Sequence, residues 1–308
     1  MSIEWSKLLQ LEDGWLNKHL ISQTFSKDVK IVVRGYSIKF SGTTNNYKAL
    51  AQELSNVIAN FTHSKAEVKK KGLLRADKDA QKIFGQINPS KDGKYGELLL
   101  FALVETILKC PMVAHKIPTS FNDQVKGGDG IFIGNYEVAP GKMHEAILIG
   151  ESKIWQDYSS ALEDSLSSIN RFHDSITKGQ FNSQELIVAK KGLFVDDSID
   201  VDVLYKYLSP GEDEFQNCVQ VHPTFIMYQT NEISNIEQKA LTPIEAETLI
   251  AGYLDKRHKQ HVGLINEKMQ SYTELKKVFL DFFILPVKNV DEFRNELFYE
   301  IHGLTFKP

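Results

Sequence analysis

The stretch Ala146-Ile147-Leu148-Ile149-Gly150-Glu151-Ser152-Lys153 decides how this chain is read. It opens on four consecutive apolar residues, the pattern of a strand buried on both faces. It closes on an acid and a lysine two positions apart. Side chains two apart on a strand share a face, so Glu151 and Lys153 project together while Ser152 points away. Charged groups at the end of a buried strand are costly without partners or a cation. Such positions are where functional sites are found.

Working outward, Ile131 to Val138 reads as a strand that turns at Ala139-Pro140-Gly141-Lys142 and forms a hairpin with a second strand, about Glu145 to Trp155. Lys126-Gly127-Gly128-Asp129-Gly130 leads into the first strand, which sets Asp129 at its head and Glu151 near the tail of the second. Upstream, Lys94 to Lys109 is an apolar helix with Glu97 in its first turn, stopped by Pro111. Downstream, Leu162, Leu166, Ile169, Phe172 and Ile176 share one face of a helix from about Tyr158 to Thr177. Val219 to Gln229 then returns as a strand. The order is helix, strand, strand, helix, strand, and a third core strand has one candidate, Leu186-Ile187-Val188-Ala189.

Taken singly, the charged residues have plain readings. Glu97 suits a helix N-terminus. Asp129 between two glycines suits a turn. Glu151 and Lys153 could be a same-face surface pair. Taken in this order on these elements, they point to chemistry. Hard divalent cations such as Mg²⁺, with Mn²⁺ able to substitute, are held by carboxylate oxygens. Asp129 and Glu151 supply a pair across neighbouring strands, and Glu97 a third. An ammonium beside them stabilises the negative charge that builds up when water attacks a phosphodiester. An arginine at Lys153 would carry that charge in a wider planar fork.

The flanks give the domain plan. Residues 1–90 read as an α+β accessory region, with strand-like runs on either side of Gly35 and a helical pattern from Asn46 to Phe61. Pro89-Ser90-Lys91-Asp92-Gly93 is a turn cluster that sets off a core over 91–230. Residues 231–308 read as mainly helical additions packed on that core. Helices are expected near Pro243–Leu254 and Leu264–Leu280, a strand at Phe283–Val287 and a closing helix at Val290–Ile301.

A chain of 308 residues with net charge −4 carries no global basic field, so contact with nucleic acid must rest on local patches. One such run is Lys65, Lys69, Lys70, Lys71, Arg75 and Lys78, which also suits a solvated helix face. Two cysteines do not suggest a disulfide framework. The first residues lack a charged-then-apolar leader pattern, and the longest apolar stretch, Leu98 to Leu108, is interrupted by Glu105 and too short to span a bilayer. The expectation is a soluble cytoplasmic protein with no membrane contact and no small-molecule cofactor.

Gly96-Glu97 on a helix, Gly128-Asp129-Gly130 at a strand, and Glu151-Ser152-Lys153 after an apolar strand resemble the PD-(D/E)xK nuclease superfamily. Its core is helix, three strands, helix, strand, which implies a restriction-endonuclease-like α/β fold: a small mixed sheet flanked by helices. Gly128 stands where the motif name has proline. Nearly the whole chain, including Glu151-Ser152-Lys153-Ile154-Trp155 and Phe283-Ile284-Leu285-Pro286-Val287, is similar to the HamA family, nuclease subunits of Hachiman antiphage systems. The resemblance implies that Glu97, Asp129 and Glu151 are metal ligands, with the Ser152 carbonyl adding an oxygen, and that Lys153 is the catalytic lysine. It further implies DNA as substrate and a superfamily 2 helicase partner, HamB, that restrains the nuclease.

Other constellations are weaker. The Gly127–Gly130 run lacks a nucleotide loop's glycine spacing and enters a strand. Cys218 and His222 offer only two of a structural zinc site's four ligands. His258 and His261 beside Lys256, Arg257 and Lys259 form a basic helix face that suits solvent, DNA or a partner. The acidic excursion with Asp196, Asp197, Asp200, Asp202, Glu212, Asp213 and Glu214 supports a second reading, a non-catalytic regulatory module that keeps a nuclease-like fold.

Overall fold

Gly150 interrupts an otherwise continuous strand, and the fold is organised around that interruption. The computed structural model describes residues 3–85, 88–114, 129–177 and 200–306. The candidate strand at 186–189 and residues 126–128 lie outside the described residues. The first strands are β1 (Leu20–Asp28), β2 (Ile31–Ile38) and a small pair, β3 (Phe40–Ser41) with β4 (Thr44–Asn45). Helices α1 (Tyr47–Ser55), α2 (Ile58–Thr62), α3 (Lys65–Lys71), α4 (Leu73–Phe84) and α5 (Lys94–Leu103) follow. Then come β5 (Met112–Ala114), β6 (Ile131–Ala139), β7 (Lys142–Ile149), β8 (Glu151–Trp155), α6 (Tyr158–Thr177) and β9 (Val219–Gln229). Beyond them are helices Asn231–Lys239 and Pro243–Met269, β10 (Phe279–Val287) and a last helix, Val290–His302.

Among the described residues, eight strands form one mixed sheet in the order β1-β2-β10-β9-β7-β6-β5, with β8 also on β9. From β5 through β7 neighbours are antiparallel, whereas β7, β8, β9, β10 and β2 run parallel. Among the described residues the order from α5 to β9 is helix, three strands, helix, two short helices (Val201–Tyr207 and Asp213–Gln216) and strand, once β7 and β8 are counted as a single line. They pair with β9 in one register, Leu148 opposite Val221 and Glu151 opposite Thr224.

Alternation along β9 builds both core layers. Phe225 and Met227 enter the layer with Leu98, Leu99 and Phe101 of α5 and with the last helix. Ile226 and Tyr228 enter the other with Leu162 and Leu166 of α6. Burial on both faces is what the apolar runs of β9 and β10 require.

The helical pattern expected from Asn46 to Phe61 is two helices, α1 and α2, and the one expected over Lys94 to Lys109 is α-helical only to Leu103; the C-terminal elements differ as well. The two helices expected near 243–254 and 264–280 are one helix, Pro243–Met269, followed by a short turn and β10. Neither Gly252 nor Gly263 inside it meets anything within 4 Å of an added Cβ, so both are exposed glycines that weaken a helix without ending it. The strand at Phe283–Val287 starts earlier, at Phe279, because Phe279 to Phe282 pair with Val221 to Thr224 of β9.

Burial also hides two carboxyl groups in the frame of the sheet. Asp281 of β10, 0% exposed, takes a two-pronged contact from Arg34 of β2 at 2.8 and 3.0 Å, and the Tyr136 hydroxyl donates to it at 3.2 Å. Glu105, also buried, accepts the backbone N–H groups of Gln10 (2.8 Å), Leu11 (3.1 Å) and Met112 (3.3 Å). Burial pushes its carboxyl up to about 7, against the pull of those donors. Its bond to Met112 helps fix the short strand β5.

Candidate active site at the free edge of β8

Strand β6 pairs with β7 as far as Ile131 opposite Ile149. Beyond that point Asp129 and Gly130 splice onto the line: the Asp129 N–H donates to the Gly150 carbonyl (2.8 Å) and the Gly150 N–H to the Gly130 carbonyl (2.9 Å). Gly130 has φ +136°, where a side chain would be strained. Asp129 is thereby turned along the edge of β8. Its Oδ2 accepts both the Ser152 N–H and the Ser152 hydroxyl, each at 2.7 Å.

The two faces of β8 carry the other groups. Ser152 faces α5, where a Cβ on Gly96 would stand 3.0 Å from its hydroxyl oxygen. A glycine before Glu97 therefore lets the helix lie close to the strand. Glu151 and Lys153 face α6. The Lys153 ammonium lies 2.8 Å from Glu151 Oε1 and 3.0 Å from Asp164 Oδ2, and the Ser168 hydroxyl donates to Glu151 Oε2 at 3.0 Å. Asp164 and Ser168, missed by sequence reasoning, lie four residues apart on α6 and so share a face. That spacing, read beside Glu151 and Lys153, was the available signal.

The electrostatics show which groups feel one another. Asp129 is pushed well above the usual carboxylate range by burial, then by the negative charges of Glu97 and Glu151, against its bonds to Ser152. Burial also raises Glu151, opposed by Lys153 and Ser168. At Lys153 burial works against the charge, but Glu151 and Asp164 outweigh it and the ammonium holds its proton above the ordinary lysine range. Asp129 thus lies within electrostatic reach of the other two acids, and Lys153 contacts one of them.

Among the described residues, no three His, Cys, Asp or Glu side chains already stand around a common cation position. Asp129 is turned onto Ser152, and Glu151 onto Lys153 and Ser168. The donor chemistry nonetheless suits a hard divalent ion: all oxygen, with a carboxyl destabilised by burial and two like charges.

A group whose ionised form is disfavoured in the fold weakens the fold at neutral pH. Asp129→Asn keeps an oxygen for Ser152 and removes the charge. The metal-free variant is expected to be more stable than the parent at pH 8, by about 0.5–2 kcal/mol, the usual yield of one stabilising substitution. Urea denaturation in EDTA checks this; a loss of stability would show that the Asp129 charge is compensated.

The remaining histidines play other parts. His222 does not meet Cys218 at a metal. Its Nδ1–H donates to the Ile149 carbonyl (3.1 Å), which leaves its Nε2 to accept from His173 Nε2 at 2.6 Å, both rings buried. His261 points inward, 3% exposed, with its Nε2 3.2 Å from the Tyr228 hydroxyl, and the half-buried His258 bonds Ser26. The two do not form one exposed basic face.

Burial, then the nearby His173, holds His222 well below the usual histidine range. The unfolded chain therefore binds a proton near pH 6.5 that the fold refuses. The contribution is complete above pH 6.5 and is lost as pH falls. From pH 7 to pH 5 the parent is expected to lose about 2 kcal/mol more than His222→Asn. Denaturation at the two pH values measures the difference, and equal losses would contradict it.

The model of the HamA family matches residues 11–301. This chain belongs to the HamA family. The match runs from ahead of β1 into the last helix, so it takes in Glu97, Asp129, Glu151 and Lys153. Membership assigns the chain to Hachiman antiphage defence. No curated protein matches it. None of the described helices is long and apolar enough to cross a membrane.

Proposed function

We propose that this HamA-family chain is a divalent-metal-dependent DNA endonuclease, the effector of its defence system, restrained by a superfamily 2 helicase partner until DNA is to be cut. One observation carries the reading: Asp129 feels the charges of both Glu97 and Glu151, and Lys153 sits on Glu151, all at a strand edge that no other described strand covers. Glu97, Asp129, Glu151 and the Ser152 carbonyl would hold the Mg²⁺, with Mn²⁺ able to replace it. The bound ion supplies a lower pKa for water and neutralises charge on the phosphate. Lys153 contributes a fixed positive charge where the transition state becomes more negative. Ser152 orients Asp129 through its N–H and hydroxyl, and Ser168 orients Glu151.

A second reading is a non-catalytic module that retains the fold. It is favoured by the lack, among the described residues, of a ready-made three-ligand cluster. Plasmid relaxation by the purified protein, and by the complex with its partner, separates the two. The enzyme reading predicts nicking that needs Mg²⁺, stops with EDTA and disappears in Asp129→Ala. Undiminished cutting in both Asp129→Ala and Lys153→Ala would refute it. Stoichiometric Mn²⁺ binding in calorimetry, abolished by Asp129→Ala, supports the enzyme even where the restrained subunit is silent.

A further inference from the structure

Lys153 has two carboxylate partners, and only one of them belongs to the proposed cation site. Glu151 is the inner partner, with its side chain 8% exposed; Asp164 is the outer one, at 45%. We propose that Asp164 is a positioning residue: it holds the Lys153 ammonium in place when the Glu151 oxygens turn to the cation. The inference rests on the nuclease reading above.

Three observations carry it. The first is the pair of distances, 2.8 Å to Glu151 and 3.0 Å to Asp164, which shows one ammonium shared between an acid from the strand and an acid from the helix. The second is the origin of Asp164. It projects from α6, anchored by Ala161, Leu162, Ser165 and Leu166, each 0% exposed, so it stays in place whatever Glu151 does. The third is the division of labour along α6. Ser168, one turn further on, bonds Glu151 Oε2, so the helix grips the acid and the lysine at separate points. A carboxylate that gives its lone pairs to a divalent ion binds an ammonium more weakly. Without Asp164 the four-carbon stem of Lys153 would then swing freely, and misplacing a charged group by an ångström is costly to catalysis.

Asp164 is half-exposed and contributes no apolar packing, so its pair with Lys153 is worth little to stability. This separates a positioning role from a structural one. In Asp164→Ala, kcat for Mg²⁺-dependent plasmid cutting is expected to fall roughly 10- to 100-fold, as when an outer-shell partner is lost. KM for DNA should stay level or decrease, since one negative charge has gone. The melting temperature should be unchanged, and Asp164→Glu should recover most of the rate. A second readout does not depend on cutting. In Mg²⁺, acylation of Lys153 by an N-hydroxysuccinimide ester, followed by peptide mass spectrometry, should be several-fold faster in Asp164→Ala than in the parent.

Parental kcat in Asp164→Ala overturns the inference, and so does a rate loss that tracks a drop in melting temperature and is not rescued by glutamate. If the parent, alone and with its partner, neither cuts plasmid nor binds Mn²⁺ stoichiometrically, the nuclease reading fails. Acylation then decides whether Asp164 restrains Lys153, and equal rates in parent and variant reject it.

Discussion

Lys153→Ala is expected to cut plasmid about 10²–10³-fold more slowly than the parent, with the fold and the cation affinity retained. That magnitude is what removal of one preorganised electrostatic contact to a developing charge costs. Lys153 is a strong candidate for such a contact because its charge is secured: Glu151 and Asp164 keep its proton on despite burial. The alanine variant leaves Glu151 with Ser168 and one fewer cation beside a buried carboxylate. A modest loss of stability is therefore compatible with the account, whereas unfolding is not. Lys153→Arg should not restore the rate, because a planar fork cannot occupy the ammonium's place between Glu151 Oε1 and Asp164 Oδ2. Single-turnover rates on supercoiled plasmid, together with circular dichroism melts, test both. A rate equal to the parent's would remove Lys153 from the chemistry.

The second large effect concerns the frame that positions the site. Arg34→Ala is expected to destabilise the protein by about 3–5 kcal/mol, because it strands Asp281 in the core. Asp281 is 0% exposed on the central strand β10, and burial already pushes its carboxyl up. Arg34 provides both of its charged contacts, while Tyr136 provides one neutral hydrogen bond. Arg34 also lies over the rings of Phe25 and Phe283, at 5.2 and 5.7 Å. Its loss therefore removes packing as well as charge. Replacing both partners, Arg34→Met with Asp281→Leu, should recover much of the loss, since an apolar pair costs nothing to desolvate. Urea midpoints of the two variants measure this. A loss under 1 kcal/mol in Arg34→Ala would mean that Asp281 is neutral in the fold.

The core was legible where periodicity was strong. The apolar run before Glu151, the 3.6-residue face of α6 and the run over Val219–Gln229 each named their element, because burial on one or both faces leaves an unambiguous pattern. Strand β5 was not legible. It has three residues and is held by a buried carboxylate, Glu105, whose role cannot be seen without the fold. The helix Pro243–Met269 reads as two because the polar run Asp255 to Gln260 interrupts its apolar pattern, although the buried residues on either side, from Ala246, Ile250 and Leu254 to His261, Ile265 and Met269, keep one face.

The site follows the same division. The relation of Asp129, Glu151 and Lys153 was legible because strand alternation and the hairpin fix it, whereas that of Glu97, on α5, was not. Nor were the details. The lock of Asp129 onto Ser152 depends on the Gly130 backbone, and the grip of Asp164 and Ser168 on Lys153 and Glu151 depends on how α6 crosses β8. No local pattern encodes either.

The claim on which the account stands is that Glu97, Asp129 and Glu151 share one divalent cation at the open edge of β8. Crystals soaked in Mn²⁺ and measured at its absorption edge test this most directly. The account predicts an anomalous peak bounded by the Asp129 and Glu151 carboxylates and the Ser152 carbonyl, lost in Asp129→Ala. Saturating Mn²⁺ with no peak there, or with its strongest peak elsewhere on the chain, would contradict it.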